Sequence, residues 1–464
     1  MTTASREFQV MAKPIGALCN LDCDYCYYLD TQRLYPDTAA PRMPDDLLEA
    51  YIVQYIAASP RPLINFQWHG GEPTLLGLDY FRKIVALERA HQPAGRRITN
   101  GLQTNGTLLD EEWCRFLAAE GVFVGLSLDG PQALHDRHRV TKGQKPTHKQ
   151  VMRAFRLLQQ HRVRSDILCV VHADNAGSPM AVYRFFKEIG AQHLQFLPFV
   201  EPLRDGSGGV TPHSVPAEAY GAFLCAIFDE WVRQDVGRVT VQIFDEAARP
   251  ACGLPHALCH FREECGDVPV VEHNGDFYSC DHFVDPAHRL GNLRETRLVD
   301  LVDSAPQLDF GRAKREALPR YCRDCDVLAL CNGGCPKDRF IKTPDGEPGL
   351  NYLCAGFKRF FTHSRPHLER LAAVWRAGQP MERLMQEVRA ADQSATRQAG
   401  RNLSLARANR VRDSVIEFAK QRGIRVDASQ FVTNGEGVEQ PRHPKPGSEA
   451  EWLANMRVEF RVLN

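Results

Sequence analysis

Three thiols within eight residues carry the first chemical signal of this 464-residue chain: Cys19, Cys23 and Cys26, in "CNLDCDYC". A C-x-x-x-C-x-x-C spacing supplies ligands for three irons of a cubane iron–sulfur cluster and leaves the fourth iron open to a small molecule. A zinc ion completed by a distant histidine is the alternative that a triplet by itself leaves standing. A second block follows beyond residue 250. Setting Cys252 aside, it holds eight cysteines: Cys259, Cys265, Cys280, then Cys322, Cys325, Cys331 and Cys335 in "CRDCDVLALCNGGC", then Cys354. Eight thiols suffice for two fully ligated cubane clusters, and full ligation suits electron transfer rather than substrate binding. Taken alone, the C-x-x-C and C-x-x-x-C pairs of this block also read as a zinc ribbon.

The composition supports ligation over disulfides. Basic and acidic side chains balance at 57 each, which gives no reason to expect nucleic acid or anionic lipid as a partner. No run of about 18 apolar residues is present to span a membrane, and "MTTASREFQVMAKPIG" lacks the basic segment and apolar core of a signal peptide. The expected location is the cytoplasm, where most of the 15 cysteines stay reduced.

The elements that must position these groups read as repeated βα units. Strand candidates are "LINFQWHG", "ITNGLQTNG", "VFVGLSLDG", "DILCVVHA", "HLQFLPF" and "VTVQIFDE", separated by amphipathic helices such as "LDYFRKIVALERAH" and "HKQVMRAFRLLQQH". Such repeats predict an α/β fold with a parallel sheet, open or curled into a barrel, and a site at the carboxyl ends of its strands. Gly70, Gly71 and Glu72 follow the first strand candidate, and Gln103, Asn105, Ser127 and Asp129 fall at the same rim. From about 252 to 356 the chain depends more on ligation than on a core, with one hairpin, "VPVVEHNGDFYSC", turning at Asn274 and Gly275. Residues 364–390 read as helical, "AADQSATRQAGRN" as the polar opening of a tail that again reads as helical, and "MRVEFRVLN" as its closing strand. Cys114, Cys169, Cys225 and Cys252 read as packed thiols.

With the aromatic Tyr25 before its last cysteine and βα repeats after it, the triplet resembles the radical S-adenosylmethionine (SAM) superfamily. That resemblance implies a partial (β/α)6 barrel over residues 1–245 that binds the cofactor through Tyr25, Gly70, Gly71, Glu72, Ser127 and Arg139. Glu72 would receive the amino group of the methionine part, and Ser127 and Arg139 its carboxylate. The later cysteines resemble the SPASM extension, here 246–390 with its closing helices, and closely resemble the anaerobic sulfatase-maturating enzymes. The likeness spans residues 7–390. It implies three 4Fe-4S clusters: one on the triplet, one on Cys259, Cys265, Cys280 and Cys335, and one on Cys322, Cys325, Cys331 and Cys354. In "YSCDHFV" it implies that Asp281 is a catalytic base, and in "CYYLD" that Tyr28 lies near substrate.

The implied reaction begins with reductive cleavage of S-adenosylmethionine to a 5'-deoxyadenosyl radical. That radical takes a hydrogen from the β-carbon of a cysteine or serine in a sulfatase polypeptide. Asp281 accepts a proton, one electron leaves through an auxiliary cluster, and Cα-formylglycine results. A flavodoxin- or ferredoxin-type protein would reduce the first cluster.

The C-terminal stretch 391–464 resembles part of an OmpA-like, peptidoglycan-binding domain, whose diaminopimelate ligands would fall at Asp392 and Arg407. That family's glycine-histidine-threonine lead is absent before Asp392, so a small α+β tail without peptidoglycan as a partner is expected. Two other readings compete with sulfatase maturation. A SPASM peptide maturase forming thioether or carbon–carbon crosslinks would share nearly every cluster cysteine; a zinc-stabilised binding protein would share the thiols without catalysis.

Overall fold

The computed structural model describes residues 3–36, 41–203, 205, 207–422 and 433, and the chain divides into compact units Met1–Gln379 and Pro380–Asn464. In the first unit seven strands lie side by side in chain order and parallel: β1 (Met11–Lys13), β2 (Leu63–Trp68), β3 (Arg97–Thr104), β4 (Phe123–Ser127), β5 (Ser165–Val171), β6 (His193–Pro198) and β7 (Thr240–Val241). Parallel neighbours need crossovers. They are α1 (Asp45–Ala58), α2 (Leu78–His91), α3 (Glu111–Glu120), α4 (Gln132–His138) with α5 (His148–Gln160), α6 (Pro179–Glu188) and α7 (Ala217–Gln234).

Alternation along the strands gives the sheet two unlike faces. Ile64, Phe66 and Trp68 of β2 are buried, and Phe66 and Trp68 meet Tyr51 of α1 edge to face. Between them Asn65 and Gln67 are half-buried and join a polar wall: Gln67 donates to Asn65 (3.2 Å), Gln103 to Ser127 (3.1 Å) and Gln195 to Asp166 (2.9 Å). Such a wall suits a polar ligand.

The hairpin expected at Asn274–Gly275 is present, with Gly275 at φ 91°. Its strands β8 (Val270–Glu272) and β9 (Asp276–Tyr278), with β10 (Arg289–Asn292), extend the barrel sheet beyond β1 into one ten-stranded sheet. β8 pairs parallel to β1 and sets Glu272 opposite Lys13. The helix Cys354–Arg376 returns to the barrel, where Phe360 stacks on Phe244 (5.5 Å).

Two sequence expectations are corrected. "VTVQIFDE" is strand only at Thr240–Val241; from Gln242 the chain is helical (α8, Gln242–Ala251), because Ile243, Phe244, Ala247 and Ala248 bury one face at helical spacing. The polar stretch expected to open the tail lies inside one 40-residue helix, Glu382–Gln421. Its alanines, glutamines and arginines are good helix formers despite their polarity. Asp392 and Arg407 both stand on that helix, and at ~1.5 Å per residue they are about 22 Å apart along its axis, too far to share one small ligand. The strand expected at "MRVEFRVLN" lies outside the described residues.

Cys114, Cys169 and Cys225 are buried, whereas Cys252 is half-buried at the end of α8. Among the described residues no helix is long and apolar enough to cross a membrane.

Candidate active site

The loop of Cys19, Cys23 and Cys26 leaves β1 and is tied on two sides. Asp22 N–H donates to Val140 O (2.9 Å), and Gly71 and Glu72 N–H donate to Gly16 O (2.8 Å) and Leu18 O (2.9 Å). A Cβ on Gly71 would stand far inside van der Waals contact distance of the Leu18 carbonyl oxygen, so a glycine there is a steric demand of the cysteine loop. Burial pushes the Cys19 thiol up to about 11 and Cys23 to about 12, and the neighbouring thiols add to both shifts. Arg139 acts in the opposite sense on Cys23. Thiols that resist losing protons to water give them up to a bound metal.

Glu72 is fully buried and engaged within the chain. Oε1 accepts from Thr74 N (3.0 Å), Thr74 Oγ1 (2.6 Å) and Thr104 Oγ1 (2.7 Å), and Oε2 accepts from Asn105 N (2.7 Å). The carboxylate thus binds the end of β2 to the end of β3. Removing it would leave buried donors without an acceptor, at roughly 1–3 kcal/mol each. Glu72→Ala is therefore expected to lower the thermal midpoint of the anaerobically handled protein by several degrees, which calorimetry checks; an unchanged midpoint would contradict a bracing role.

Ser127, at the end of β4, accepts the Gln103 bond of the polar wall. Arg139 Nε donates to Asp129 Oδ2 at 2.9 Å, its guanidinium lies 5.4 Å from the Tyr25 ring centroid, and the Tyr25 hydroxyl donates to that same carboxylate oxygen. Burial alone would raise the Asp129 pKa; Arg139, with His135 and the Tyr25 hydrogen bond, holds it low. Tyr25 and Arg139 are thus joined through Asp129, and Ser127, two residues before that carboxylate in the chain, is held separately by Gln103.

The Asp281 environment includes residues that motif reading did not find. Asp281 Oδ1 lies 2.5 Å from Lys13 Nζ on β1, and Oδ2 accepts from the Tyr27 hydroxyl at 2.6 Å. Lys13 is wholly buried, with its ammonium 3.0 Å from His69 Nδ1 and 4.1 Å from the Tyr28 ring centroid. Burial would raise the Asp281 carboxyl; Lys13, with His69 and His282, holds it well below the usual carboxylate range. Tyr28 is enclosed at 2 % exposure and donates to Glu272 Oε1 (2.5 Å), whereas Tyr27 is 48 % exposed. It is Tyr27, beside the expected Tyr28, that both touches Asp281 and remains open. The alternation Phe8, Val10, Ala12 before Lys13 was the available sequence signal for β1.

The eight later cysteines gather in two groups. After burial, Cys335 and Cys265 raise the Cys259 thiol, and Cys335 and Cys259 raise that of Cys280. Cys354, Cys322 and Cys325 raise that of Cys331. Cys331 and Cys335, four residues apart, join different groups because Asn332, Gly333 and Gly334 all take positive φ (45°, 71° and 61°) and reverse the chain between them. Cys322, Cys325, Cys331 and Cys354 line one cavity with Val327, Leu328 and Leu350. Among the described residues no three of these sulfurs lie within 4.8 Å of one another, a wider spacing than thiolates sharing one zinc ion at ~2.3 Å would take and one open to a larger cluster.

Comparison with known proteins finds relatives of both parts of the chain. Residues 14–186 match the radical SAM superfamily, and residues 264–326 match SPASM, an iron–sulfur cluster-binding domain. A serine-type anaerobic sulfatase-maturating enzyme of Bacteroides thetaiotaomicron is 43% identical over 378 residues, 79% of this chain and 91% of that protein. A cysteine-type enzyme of Clostridium perfringens is 33% identical over 78% of this chain and 98% of its own length. The solved structure of native anSMEcpe with bound AdoMet and Cp18Cys peptide superposes with a TM-score of 0.72 at 32% identity, over 79% of this chain and 99% of that one.

Proposed function

This chain belongs to the anaerobic sulfatase-maturating enzymes, and from that premise we propose how its own side chains divide the work of oxidising a cysteine or serine of a sulfatase to Cα-formylglycine. The observation that carries the proposal is the position of Asp281. It directly follows Cys280 and contacts both Lys13 on the first barrel strand and Tyr27 beside the triplet. One carboxylate thus adjoins the polypeptide of both cluster regions.

The cofactors are S-adenosylmethionine and iron–sulfur clusters. We assign three of the latter, to Cys19, Cys23 and Cys26; to Cys259, Cys265, Cys280 and Cys335; and to Cys322, Cys325, Cys331 and Cys354. When bound, S-adenosylmethionine with the reduced first cluster would supply a hydrogen-abstracting radical, and an oxidised auxiliary cluster would supply an outlet for one electron. The protein supplies position. Gly71 lets the Gly-Gly-Glu turn approach the cysteine loop, and Glu72 braces that turn against β3. Tyr25, Ser127 and Arg139 form the polar rim that meets the cofactor.

Asp281 takes the substrate proton. A thiol or hydroxyl becomes far more acidic once its carbon has lost a hydrogen atom, so a carboxylate of low proton affinity suffices, and Lys13 keeps it ionised. Tyr27 orients its second oxygen. Relatives of both serine and cysteine type match the chain, so either target residue fits this reading.

We place the enzyme in the cytoplasm and expect its reductant to be a flavodoxin- or ferredoxin-type protein. The test is anaerobic incubation of the reconstituted protein with S-adenosylmethionine, a reductant and paired sulfatase peptides carrying cysteine or serine at the target position. Mass spectrometry should find formylglycine in at least one peptide, with 5'-deoxyadenosine alongside. Formation of 5'-deoxyadenosine with both peptides unchanged would move the substrate assignment to the crosslinking peptide maturases.

A further inference from the structure

A buried lysine and a half-buried arginine stand against the backbone of the auxiliary thiol loops, and among the described residues neither is ion-paired with a carboxylate. Lys314, on the helix Ala305–Glu316, is 1 % exposed. Its ammonium donates to the backbone carbonyls of Cys259 (2.6 Å), His260 (2.9 Å) and Arg262. The Arg339 guanidinium donates to the carbonyls of Gly333 (2.9 Å), Asn332 (2.8 Å), Gly334 (3.3 Å) and Lys314. Three of its acceptors are thus the residues that separate Cys331 of one thiol group from Cys335 of the other. Among the described residues neither cation has an ion pair within 4.0 Å.

Carbonyl dipoles solvate a cation but do not neutralise it, and a buried charge without a counter-ion is costly. The anions nearest in kind are the thiols. The Lys314 charge acts on Cys265, Cys259 and Cys335, all of one group. That of Arg339 acts on Cys322 and Cys331 of one group and on Cys335 and Cys265 of the other. A cubane cluster on four thiolates is a net anion that gains one further negative charge on accepting an electron, and its potential depends on net charge and surroundings.

We propose that Lys314 and Arg339 are the built-in counter-ions of the auxiliary clusters, Lys314 serving the Cys259 group and Arg339 shared by both, and that their charge raises the potentials at which these clusters accept an electron. The proposal rests on the cluster assignment given above, which iron analysis tests separately. The two residues are positioning residues, since neither touches substrate.

The experiment uses the full chain, reconstituted anaerobically, with Cys19, Cys23 and Cys26 changed to alanine so that only auxiliary signals remain. Iron content is measured first, and potentials are then read by redox titration followed by electron paramagnetic resonance. Arg339→Gln is expected to shift both auxiliary potentials downward, and Lys314→Gln only that of the Cys259 group. Each shift should be at least tenfold in the reduction equilibrium, ~59 mV for one electron. Arg339→Lys and Lys314→Arg should stay near the parent.

Unchanged potentials in both glutamine variants, at full iron content, would overturn the proposal. So would equal shifts in the charge-keeping and charge-removing variants. If a glutamine variant loses iron, retention by its charge-keeping partner supports the proposal and loss by both overturns it. A parent chain that holds no iron at these sites overturns it through its premise.

Discussion

Replacing Asp281 with asparagine is expected to cut formylglycine formation by at least ~10²-fold, the lower end of what a positioned general base contributes, while 5'-deoxyadenosine still forms and iron content is unchanged. The amide keeps the shape and can still meet the Tyr27 hydroxyl, but it cannot hold a transferred proton or neutralise Lys13. Lys13 is then a buried ammonium without its carboxylate, a change that costs about 3–5 kcal/mol in comparable pairs. Stability should therefore fall together with activity. Lys13→Met combined with Asp281→Asn separates the two effects, because the double variant removes both charges: it should regain thermal stability and remain inactive. Product analysis by mass spectrometry and calorimetry on the same preparations read the two quantities independently. Formylglycine formation near the parent level in Asp281→Asn would remove Asp281 from the chemistry.

Gly71→Ala should have an equally large effect by a different route. Its new methyl group meets backbone at Leu18 rather than the end of a mobile side chain, so the cysteine loop must move. The hydrogen bonds from Gly71 to Gly16 and from Glu72 to Leu18 move with it. The expected result is loss of the triplet's share of iron and of S-adenosylmethionine cleavage, while the signals of the auxiliary groups persist. Iron analysis and 5'-deoxyadenosine production measure this. Full iron with normal cleavage would mean that the two loops tolerate separation.

These effects show why different parts of the molecule were unequally legible in the sequence. Cluster sites must be built from cysteines at tight spacing, so Cys19, Cys23 and Cys26 and the later block stand out from residue type and spacing alone. The βα order follows from hydrophobic periodicity and short turns, and it placed the strands from "LINFQWHG" to "HLQFLPF" correctly. It failed at "VTVQIFDE", where two β-branched residues precede a helical face that begins at Ile243. It failed again at "AADQSATRQAGRN", whose polarity reads as a boundary although its residues are helix formers, while the helix expected after it is present to Gln421.

The Asp281 environment was legible only in part. Asp281 stands next to a cysteine, but Lys13 reaches it because β1 is a central strand of a sheet that the extension continues, a register that local pattern does not encode. Tyr27 and Tyr28 are adjacent in the chain and differ only in which way the backbone turns them: one toward Asp281, the other into the core against Glu272. Glu72 was legible as a carboxylate at a strand end; its engagement by Thr74, Thr104 and Asn105 depends on how β2 and β3 terminate together. Lys314 and Arg339 gave no motif at all, since their acceptors are backbone carbonyls.

The most direct test of the central claim is isotopic. A sulfatase peptide deuterated at the β-carbon of its target cysteine or serine is incubated anaerobically with the reconstituted protein, S-adenosylmethionine and a reductant, and the recovered 5'-deoxyadenosine is weighed by mass spectrometry. The predicted result is one deuterium in 5'-deoxyadenosine in step with formylglycine in the peptide. Undeuterated 5'-deoxyadenosine accompanied by formylglycine would contradict it, because the hydrogen would then come from somewhere other than the carbon being oxidised.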